Sequence, residues 1–326
     1  GEQVEIPASA IVYDLQGKYI YPGLIDAFTD YGMPEVKKSP RTDNPQFLSN
    51  TKGAYSWNQA IRPEFSAGEI FTPDSKKAEE LRKLGFSSVQ CVYEDGIARG
   101  ASAFVTLADN KEHKIILKDK VAAHYAFTKG SSTQDYPSSQ MGSIALLRQT
   151  YLDGQWYKNL KEKKELNLSL EAWNKIQELP QIFRSDDKQS SLRADKVGDE
   201  FGVQYIIKGS GDEYQRIREI KETKAAFILS LNFPEAYDVQ DPYDAMALTL
   251  EQLKHWELAP GNPATLEKAE VTFAITAADL KDKKIFWKNL RKAIQYGLSE
   301  ETALKALTLT PAELLKVSEK VGSLKK

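Results

Sequence analysis

The chain has 326 residues, of which 41% are hydrophobic and 28% are charged, a balance that is typical of a soluble globular protein. Its formal net charge of −2 provides no basic field to attract nucleic acid, and no apolar run reaches the roughly 18 residues of a membrane span, so neither partner is expected. The single cysteine, Cys91, excludes an internal disulfide framework and a cysteine-rich metal site.

The first element expected in chain order is a strand over residues 18–27, an apolar and β-rich run. Residues 1–4 show neither a starting methionine nor a signal peptide, so we expect a piece of a longer protein from which any targeting segment has been removed. Residues 33–75 are rich in Pro, Ser, Asn and Thr and predict a long loop. Four aromatic residues of this loop either line a binding mouth or an interface, or seal the loop onto the rest of the protein: Tyr55, Trp57, Phe65 and Phe71.

Beyond the loop, the periodicity predicts helices that alternate with strands. Helices are expected over 76–84, 141–160, 169–178, 189–200, 212–222, 242–256, 284–296, 299–308 and 311–316. Strands are expected over 87–93, 101–107, 114–117, 181–184, 203–208, 225–232 and 271–276. This alternation indicates parallel βαβ units. Seven or eight such strands, without a Gly-rich phosphate loop after the first, favour an α/β fold closed into a (β/α)8 TIM-type barrel over an open doubly wound sheet.

Both ends of the chain carry motifs of a known family. The run GKYIYPGLIDA at 17–27 and the run GLSEETAL at 297–304, which continues to TPAELL at 310–315, resemble the opening and closing motifs of the amidohydrolase superfamily. The stretch 255–263 and the strand at 273–276 are similar to the last third of its imidazolonepropionase-like branch. The resemblance implies a metal-dependent hydrolase of non-peptide C–N bonds. It also implies a barrel over 18–318, with 1–17 and 319–326 as remnants of a largely absent terminal β-sandwich.

The positions at which that family binds its metal, with zinc or another divalent ion as the expectation, hold unsuitable residues here. The two histidines that end the family's first strand correspond to Phe28 and Asp30. The single histidines of its fifth and sixth strands correspond to Arg184 and Lys208. The family's catalytic aspartate corresponds to Ala278, with Asp279 one place later. A zinc site needs three or four converging N, S or O ligands, so no cofactor is predicted.

The remaining candidates leave alternatives open. The three histidines, His113, His124 and His255, match no ligand position and are interpreted as surface or core residues. Weak catalytic candidates are Asp30, Glu94, Asp186 and Asp279. Arg184 and Lys208 are expected to share a pocket at the carboxyl ends of neighbouring strands, where they either bind a small anion or pair with carboxylates. The carboxylates considered for that pairing are Asp30, Asp186 and Asp212.

These residues predict a degenerate amidohydrolase-like barrel that is catalytically inactive. Its expected role is that of a structural or regulatory domain of a longer hydrolase, with a second, active amidohydrolase domain or subunit as its partner. Two alternatives stay open: a ligand-binding module that uses the barrel mouth, and an active hydrolase with an atypical metal site. Fold alone does not decide among them.

Overall fold

Parallel strands and the helices between them form the framework of the molecule in the computed structural model, which describes residues 6–37, 46–162 and 165–324. The strands in this part of the chain are β1 (Leu24–Thr29), β2 (Phe86–Cys91), β3 (Ala98–Ala101), β4 (Ala103–Thr106), β5 (Ile116–Lys118), β6 (Ala123–Ala126), β7 (Gln181–Arg184), β8 (Tyr205–Lys208), β9 (Phe227–Ser230) and β10 (Phe273–Thr276). The helices are α1 (Ala67–Ile70), α2 (Ser75–Lys83), α3 (Glu112–Ile115), α4 (Gln140–Asn159), α5 (Leu168–Ile176), α6 (Lys188–Phe201), α7 (Ile217–Glu222), α8 (Pro242–Ala247), α9 (Leu250–Leu258), α10 (Asn262–Lys268), α11 (Phe286–Gln295), α12 (Glu300–Leu307) and α13 (Leu309–Leu314). The fold is therefore mixed α/β.

The strands form two hydrogen-bonded sheets. One has the order β1-β2-β4-β5 and the other the order β10-β9-β8-β7-β6-β3. The pairs β1/β2, β6/β7, β7/β8, β8/β9 and β9/β10 are parallel, whereas β3, β4 and β5 pair antiparallel with their neighbours. Regular βαβ alternation is predicted from residue 166 onward, and the strands there pair parallel. Before it, short connections allow antiparallel pairing without a crossover helix.

The two sheets are linked in two places. Ser102 alone separates β3 from β4, so the chain passes from one sheet directly into the other. At the opposite edges, the Thr276 hydroxyl on β10 lies within hydrogen-bond distance of the Asp26 carboxylate and of the Phe28 carbonyl on β1. The Ala277 N–H also donates to Asp26 Oδ2 at 3.1 Å. Side chains and loop backbone thus connect the first strand to the last.

Side chains on the strands alternate between two apolar clusters, as the period of two in a strand requires. Phe183 on β7 contributes to the larger cluster, which also contains buried helix residues, whereas its neighbour Ile182 contributes to the smaller one. Ile228 on β9 and Ala274 on β10 also belong to the smaller cluster, together with Ile25 and Ala27 on β1. Strands from both sheets therefore bury one common interior face.

Several elements differ from the sequence prediction. The first strand begins at Leu24 rather than at 18, and residues 6–21 are exposed to solvent. The expected loop over 33–75 contains α1 and two isolated bridges, Ile61 to Ala98 and Ser66 to Ala101, while its residues 38–45 lie outside the described part of the chain. Strand β6 was not predicted from the sequence: two of its four residues, AHYA, are alanines, which are depleted in strands. No described helix has the length and apolarity that crossing a membrane requires.

Candidate functional site

Charged and aromatic side chains meet where five strands end. Phe28 is the fifth residue of β1, and Glu94 follows β2 by three residues. Arg184 and Lys208 are the last residues of β7 and β8 and are direct register partners. Asp279 follows β10 by three residues. The carboxyl ends of parallel strands point to the same side of a sheet, so the fold brings these residues together.

An ion-pair network joins four of these side chains. Arg184 donates through one terminal nitrogen to Glu94 Oε1 and Oε2 at 2.8 and 2.6 Å, and through the other to Asp279 Oδ1 at 3.0 Å. The Lys208 ammonium donates to Asp279 Oδ2 at 2.7 Å and to the Gly209 carbonyl at 3.0 Å. Asp279 therefore bridges the two cations, each through a different carboxylate oxygen.

Asp279 reaches this bridging position from an unusual backbone conformation. Its φ angle is 64°, in the left-handed region that aspartate and asparagine tolerate better than most residues. Burial raises the pKa of the Asp279 carboxyl, but Lys208 and Arg184 outweigh this effect and hold the pKa below its ordinary value. The carboxylate is therefore ionised at neutral pH and remains paired with both cations.

A third cation, Arg99 on β3, extends the network. Arg99 is only 5% exposed, and its guanidinium donates to Glu94 Oε2 at 3.1 Å, to the Gly96 carbonyl at 2.9 Å and to Thr128 Oγ1 at 3.1 Å. Glu94 thus receives hydrogen bonds from two arginines. Arg99 was not identified from the sequence. The predicted strand over 101–107 begins after it, so the direction of the Arg99 side chain was not predicted.

The Phe28 ring fills the space beside Lys208. Phe28 is 1% exposed, and its ring centroid lies 5.9 Å from the Lys208 ammonium and 5.7 Å from the centroid of the His124 ring, which it meets edge-on. Burial, followed by the charge of Arg99, lowers the pKa of His124 to about 3, so this imidazole is neutral. Its Nε2 lies 3.0 Å from Gln90 Nε2, and because an amide nitrogen donates, the imidazole nitrogen accepts.

The residues at this site do not fit a divalent metal. Phe28 has no ligand atom, and Arg184 and Lys208 are cations that repel a metal ion. The two nearest carboxylates, Glu94 and Asp279, are already held by those cations. Among residues 6–37, 46–162 and 165–324, no group of three or more His, Cys, Asp or Glu side chains is arranged to hold a metal.

The structure separates the other candidates. Asp30 is exposed and lines a cavity of about 220 Å³ together with Phe28, Glu94 and Asp279. Asp186 is exposed and forms no ion pair with Arg184 within the distance of a salt bridge, although it lines a different cavity. Asp212, one of three carboxylates considered as a counter-charge for Arg184 and Lys208, pairs instead with Lys188 at 3.2 Å, at the start of α6.

Two of the three histidines lie away from the site. His113 is exposed on α3, and the His255 ring stacks on Tyr214 with its Nδ1 3.1 Å from the tyrosine hydroxyl. Neither histidine contacts the ion-pair network.

Ala278 is partly buried, and its carbonyl accepts a hydrogen bond from the Ser230 hydroxyl at 2.5 Å.

Asp26 is a buried carboxyl group that the sequence motif did not single out. It is fully buried within β1 and accepts hydrogen bonds from Thr276 Oγ1, from the Phe28 N–H at 3.2 Å and from the Ala277 N–H at 3.1 Å. Burial raises its pKa from 3.8 to about 6, despite these hydrogen bonds. The signal available in the sequence was a carboxylate in the centre of an otherwise apolar strand, LIDAFT.

The raised pKa of Asp26 predicts a specific pH dependence of stability. The folded protein binds the proton more tightly than the unfolded chain, so this contribution is fully present below about pH 4 and is lost as the pH rises through about 6. We expect the difference in unfolding free energy between the native chain and Asp26→Asn to fall by about 2 kcal/mol from pH 4 to pH 7. Urea denaturation across this range measures it, and parallel pH profiles for the two proteins would contradict the assignment.

Comparison with known proteins identifies the fold and not a family. No family model and no curated protein matches the chain. Among solved structures, an amidohydrolase from Thermotoga maritima MSB8 matches with a TM-score of 0.73 and 23% sequence identity, over 100% of this chain and 83% of that one. A prolidase complexed with N-methylphosphonate-L-proline gives a TM-score of 0.48 at 14% identity, over 99% of this chain and 81% of its own, and supports no conclusion. The chain therefore shares the fold of the Thermotoga amidohydrolase.

Proposed function

We propose that this chain is an amidohydrolase-like barrel domain in which an ion-pair network replaces the metal centre. In this proposal the domain has a structural or regulatory role and does not carry out metal-dependent hydrolysis. The observation that carries the proposal is the double bridge from Asp279 to Lys208 and Arg184, at the carboxyl ends of the strands. Active sites of parallel α/β barrels are located at that face.

Closure of the strands into a barrel is the architectural part of the proposal. The direct passage from β3 into β4 supports a join on one side, and the contacts of Thr276 and Ala277 with Asp26 support a join on the other. The interior cluster shared by strands of both sheets is the core that such a barrel would enclose. Residues 18–318 would form this barrel, and 1–17 and 319–326 would be the remnants of the terminal β-sandwich.

Electrostatics favours the network over a bound metal. Lys208 is 1% exposed, so its ammonium charge is poorly screened by solvent, and a divalent ion placed beside it would be strongly repelled. The carboxylates that might attract the ion would first have to leave their cations, and breaking a buried ion pair is costly. The charges of Arg184 and Lys208 are balanced by carboxylates of the chain itself. This favours internal ion pairs over a small anionic ligand as the partners of the two cations.

A partner protein is the second part of the proposed role. Residues 6–21 carry large apolar side chains that are exposed, among them Ile11 at 80%, Tyr13 at 77% and Tyr19 at 86%. A concentration of exposed apolar side chains in one segment is a feature of contact sites between proteins. A second, active amidohydrolase domain or subunit is the partner that fits a structural or regulatory role.

Metal analysis tests the proposal directly. We expect the purified protein to contain less than about a tenth of an equivalent of zinc, iron or manganese after dialysis, because three of the positions considered hold Phe28, Arg184 and Lys208. The double variant Phe28→His/Asp30→His is expected to take up no stoichiometric zinc and to show no hydrolysis of amide or cyclic amide substrates, since both cations remain. Inductively coupled plasma mass spectrometry measures the metal content.

A matched variant separates the role of the cations from that of the missing histidines. Adding Arg184→His and Lys208→His to the double variant removes the two nearest cations and frees Asp279 from both of its partners, while Glu94 stays paired with Arg99. Zinc uptake is therefore expected only in this quadruple variant. Circular dichroism would establish that both variants are folded. One equivalent of zinc in the native chain or in the double variant would overturn the proposal.

A further inference from the structure

Residues 232–258, which follow β9, carry an apolar surface that the rest of the described chain leaves largely open. They include helices α8 and α9, yet none of them is buried. Seven of their large apolar side chains are exposed, with Tyr243 and Met246 each at 82%: Val239, Tyr243, Met246, Leu250, Leu253, Trp256 and Leu258. A helix of a globular protein normally buries its apolar stripe, so this segment offers a surface for contact with another protein.

A groove beside α9 gives this surface a place for an inserted side chain. Its volume is about 380 Å³, and Leu250 and Leu258 line it together with Tyr214, on whose ring His255 stacks. Contacts between proteins are commonly anchored by aromatic and arginine side chains that fill such pockets. The groove therefore favours a protein surface as the occupant of this face.

The same surface is strongly acidic. Residues 235–257, defined here as the acidic segment, carry one basic residue, Lys254, and six carboxylates: Glu235, Asp238, Asp241, Asp244, Glu251 and Glu257. Other exposed carboxylates of the chain have a basic neighbour, as Glu301 has in Lys305. No ion pair joins any of the six to a described residue. A partner surface that matches this segment is therefore basic.

A basic surface of matching charge lies on the chain itself. Residues 281–292, defined here as the basic segment, carry one acidic residue, Asp282, and six cations: Lys281, Lys283, Lys284, Lys288, Arg291 and Lys292. Within this segment, α11 buries Phe286 and Leu290 and exposes Trp287. In the described part of the chain, none of the six cations forms an ion pair. The acidic and basic segments are therefore complementary in the sign and number of their charges.

The two segments adjoin the same turn, although their charges do not pair within one chain. The turn Ala259–Gly261 follows α9 directly and contacts α11, and the Tyr296 ring just after α11 borders Gly261. A two-fold axis beside this turn would set the acidic segment of each copy against the basic segment of the other. We propose that two copies of this chain form a dimer through these segments. The proposal does not depend on the role of the ion-pair network.

Sedimentation equilibrium on the full chain tests the dimer. At low salt we expect a reversible dimer with a dissociation constant in the micromolar range, so that twice the mass of one chain is reached at about 100 μM. Raising the salt concentration from about 50 mM to about 500 mM is expected to raise the dissociation constant about tenfold, because the charges of both segments are exposed and are screened.

Charge reversal identifies the two surfaces. One variant reverses exposed carboxylates of the acidic segment (Asp244→Lys, Glu251→Lys and Glu257→Lys), and the other reverses exposed cations of the basic segment (Lys284→Glu, Lys288→Glu and Arg291→Glu). Each variant alone is expected to dimerise at least about a hundredfold more weakly, because like charges then face each other. The control reverses three exposed lysines outside both segments and should dimerise like the native chain: Lys158→Glu, Lys161→Glu and Lys175→Glu.

Mixing the two reversed variants gives the most specific measurement. In the mixed dimer, one native acidic segment faces one native basic segment, and the two reversed segments no longer repel each other. We therefore expect the two variants to bind each other at least about tenfold more tightly than either binds itself. Circular dichroism would establish that both variants are folded.

Three outcomes would overturn the assignment. A native chain that stays monomeric at about 100 μM and low salt would leave the acidic segment to a different, basic partner protein. A dimer that responds neither to salt nor to the two reversals would place the contact elsewhere on the chain. Folded variants that bind each other no better than themselves would show that the two segments do not face each other. The metal analysis above is independent of each of these outcomes.

Discussion

Replacing Asp279 with asparagine is expected to lower the free energy of unfolding by about 3 kcal/mol, because it leaves the buried Lys208 ammonium without a counter-charge. Lys208 is 1% exposed, and its other contact in the network is the neutral Gly209 carbonyl at 3.0 Å. The value lies at the low end of the range for broken buried pairs, since the Asp279 side chain is 29% exposed. Asparagine tolerates the φ angle of 64°, so the change tests charge and not backbone strain.

A compensating variant distinguishes charge pairing from packing. Lys208→Met in the Asp279→Asn background removes the stranded charge and is expected to recover most of the lost stability. Glu301→Gln, which removes a carboxylate paired with Lys305 on the exposed face of α12, is the control and should cause no measurable change. Equal urea midpoints for the native chain and Asp279→Asn at pH 7 would refute the central role of this ion pair.

Truncating Phe28 to alanine is expected to destabilise the fold by about 4 kcal/mol, the usual cost of a large cavity in a packed interior. The ring is 1% exposed and lies against both Lys208 and His124. Water that enters the space is expected to raise the pKa of His124 from about 3 toward its ordinary value of 6.5, because burial is the main cause of its depression. Chemical denaturation gives the first quantity, and NMR titration of the imidazole gives the second.

An exposed phenylalanine provides the control for this truncation. Phe47 is 63% exposed, so Phe47→Ala should have a much smaller effect on stability and none on His124. If Phe28→Ala had the same urea midpoint as the native chain, Phe28 would not be the apolar plug of the site. If stability fell and the His124 pKa stayed near 3, the ring would pack the core without excluding water from the histidine.

The sequence predicted two cations of the ion-pair network but not the carboxylates that pair with them. Arg184 and Lys208 were identified because each ends an apolar run that predicts a strand, and the strand 181–184 coincides with β7. Their partners were not identified: Glu94 had been interpreted as a possible catalytic residue, and Asp279 as a residue one place late. The left-handed φ of Asp279 depends on the turn after β10, and no local pattern encodes its direction.

The spacing of side chains within single elements predicted the bounds of the longer helices closely. Helical periodicity predicted α4 over 141–160 and α6 over 189–200, and the structure has them at Gln140–Asn159 and Lys188–Phe201. The residue types alone also showed that none of the metal positions considered holds a histidine. Such features depend on side-chain spacing within one element and on residue identity, and both can be read from the printed chain.

Only the tertiary structure decided which groups meet across long separations. Lys208 contacts Asp279 from 71 residues away, Arg184 contacts Glu94 from 90, and Gln59 is oriented by Thr133 from 74. The antiparallel β3–β5 segment and the contact of β1 with β10 likewise depend on which strand edges pair. The sequence by itself therefore determined the elements and the chemical types at their ends. The partners of those residues depend on the register and convergence of distant strands, which packing of the whole chain sets.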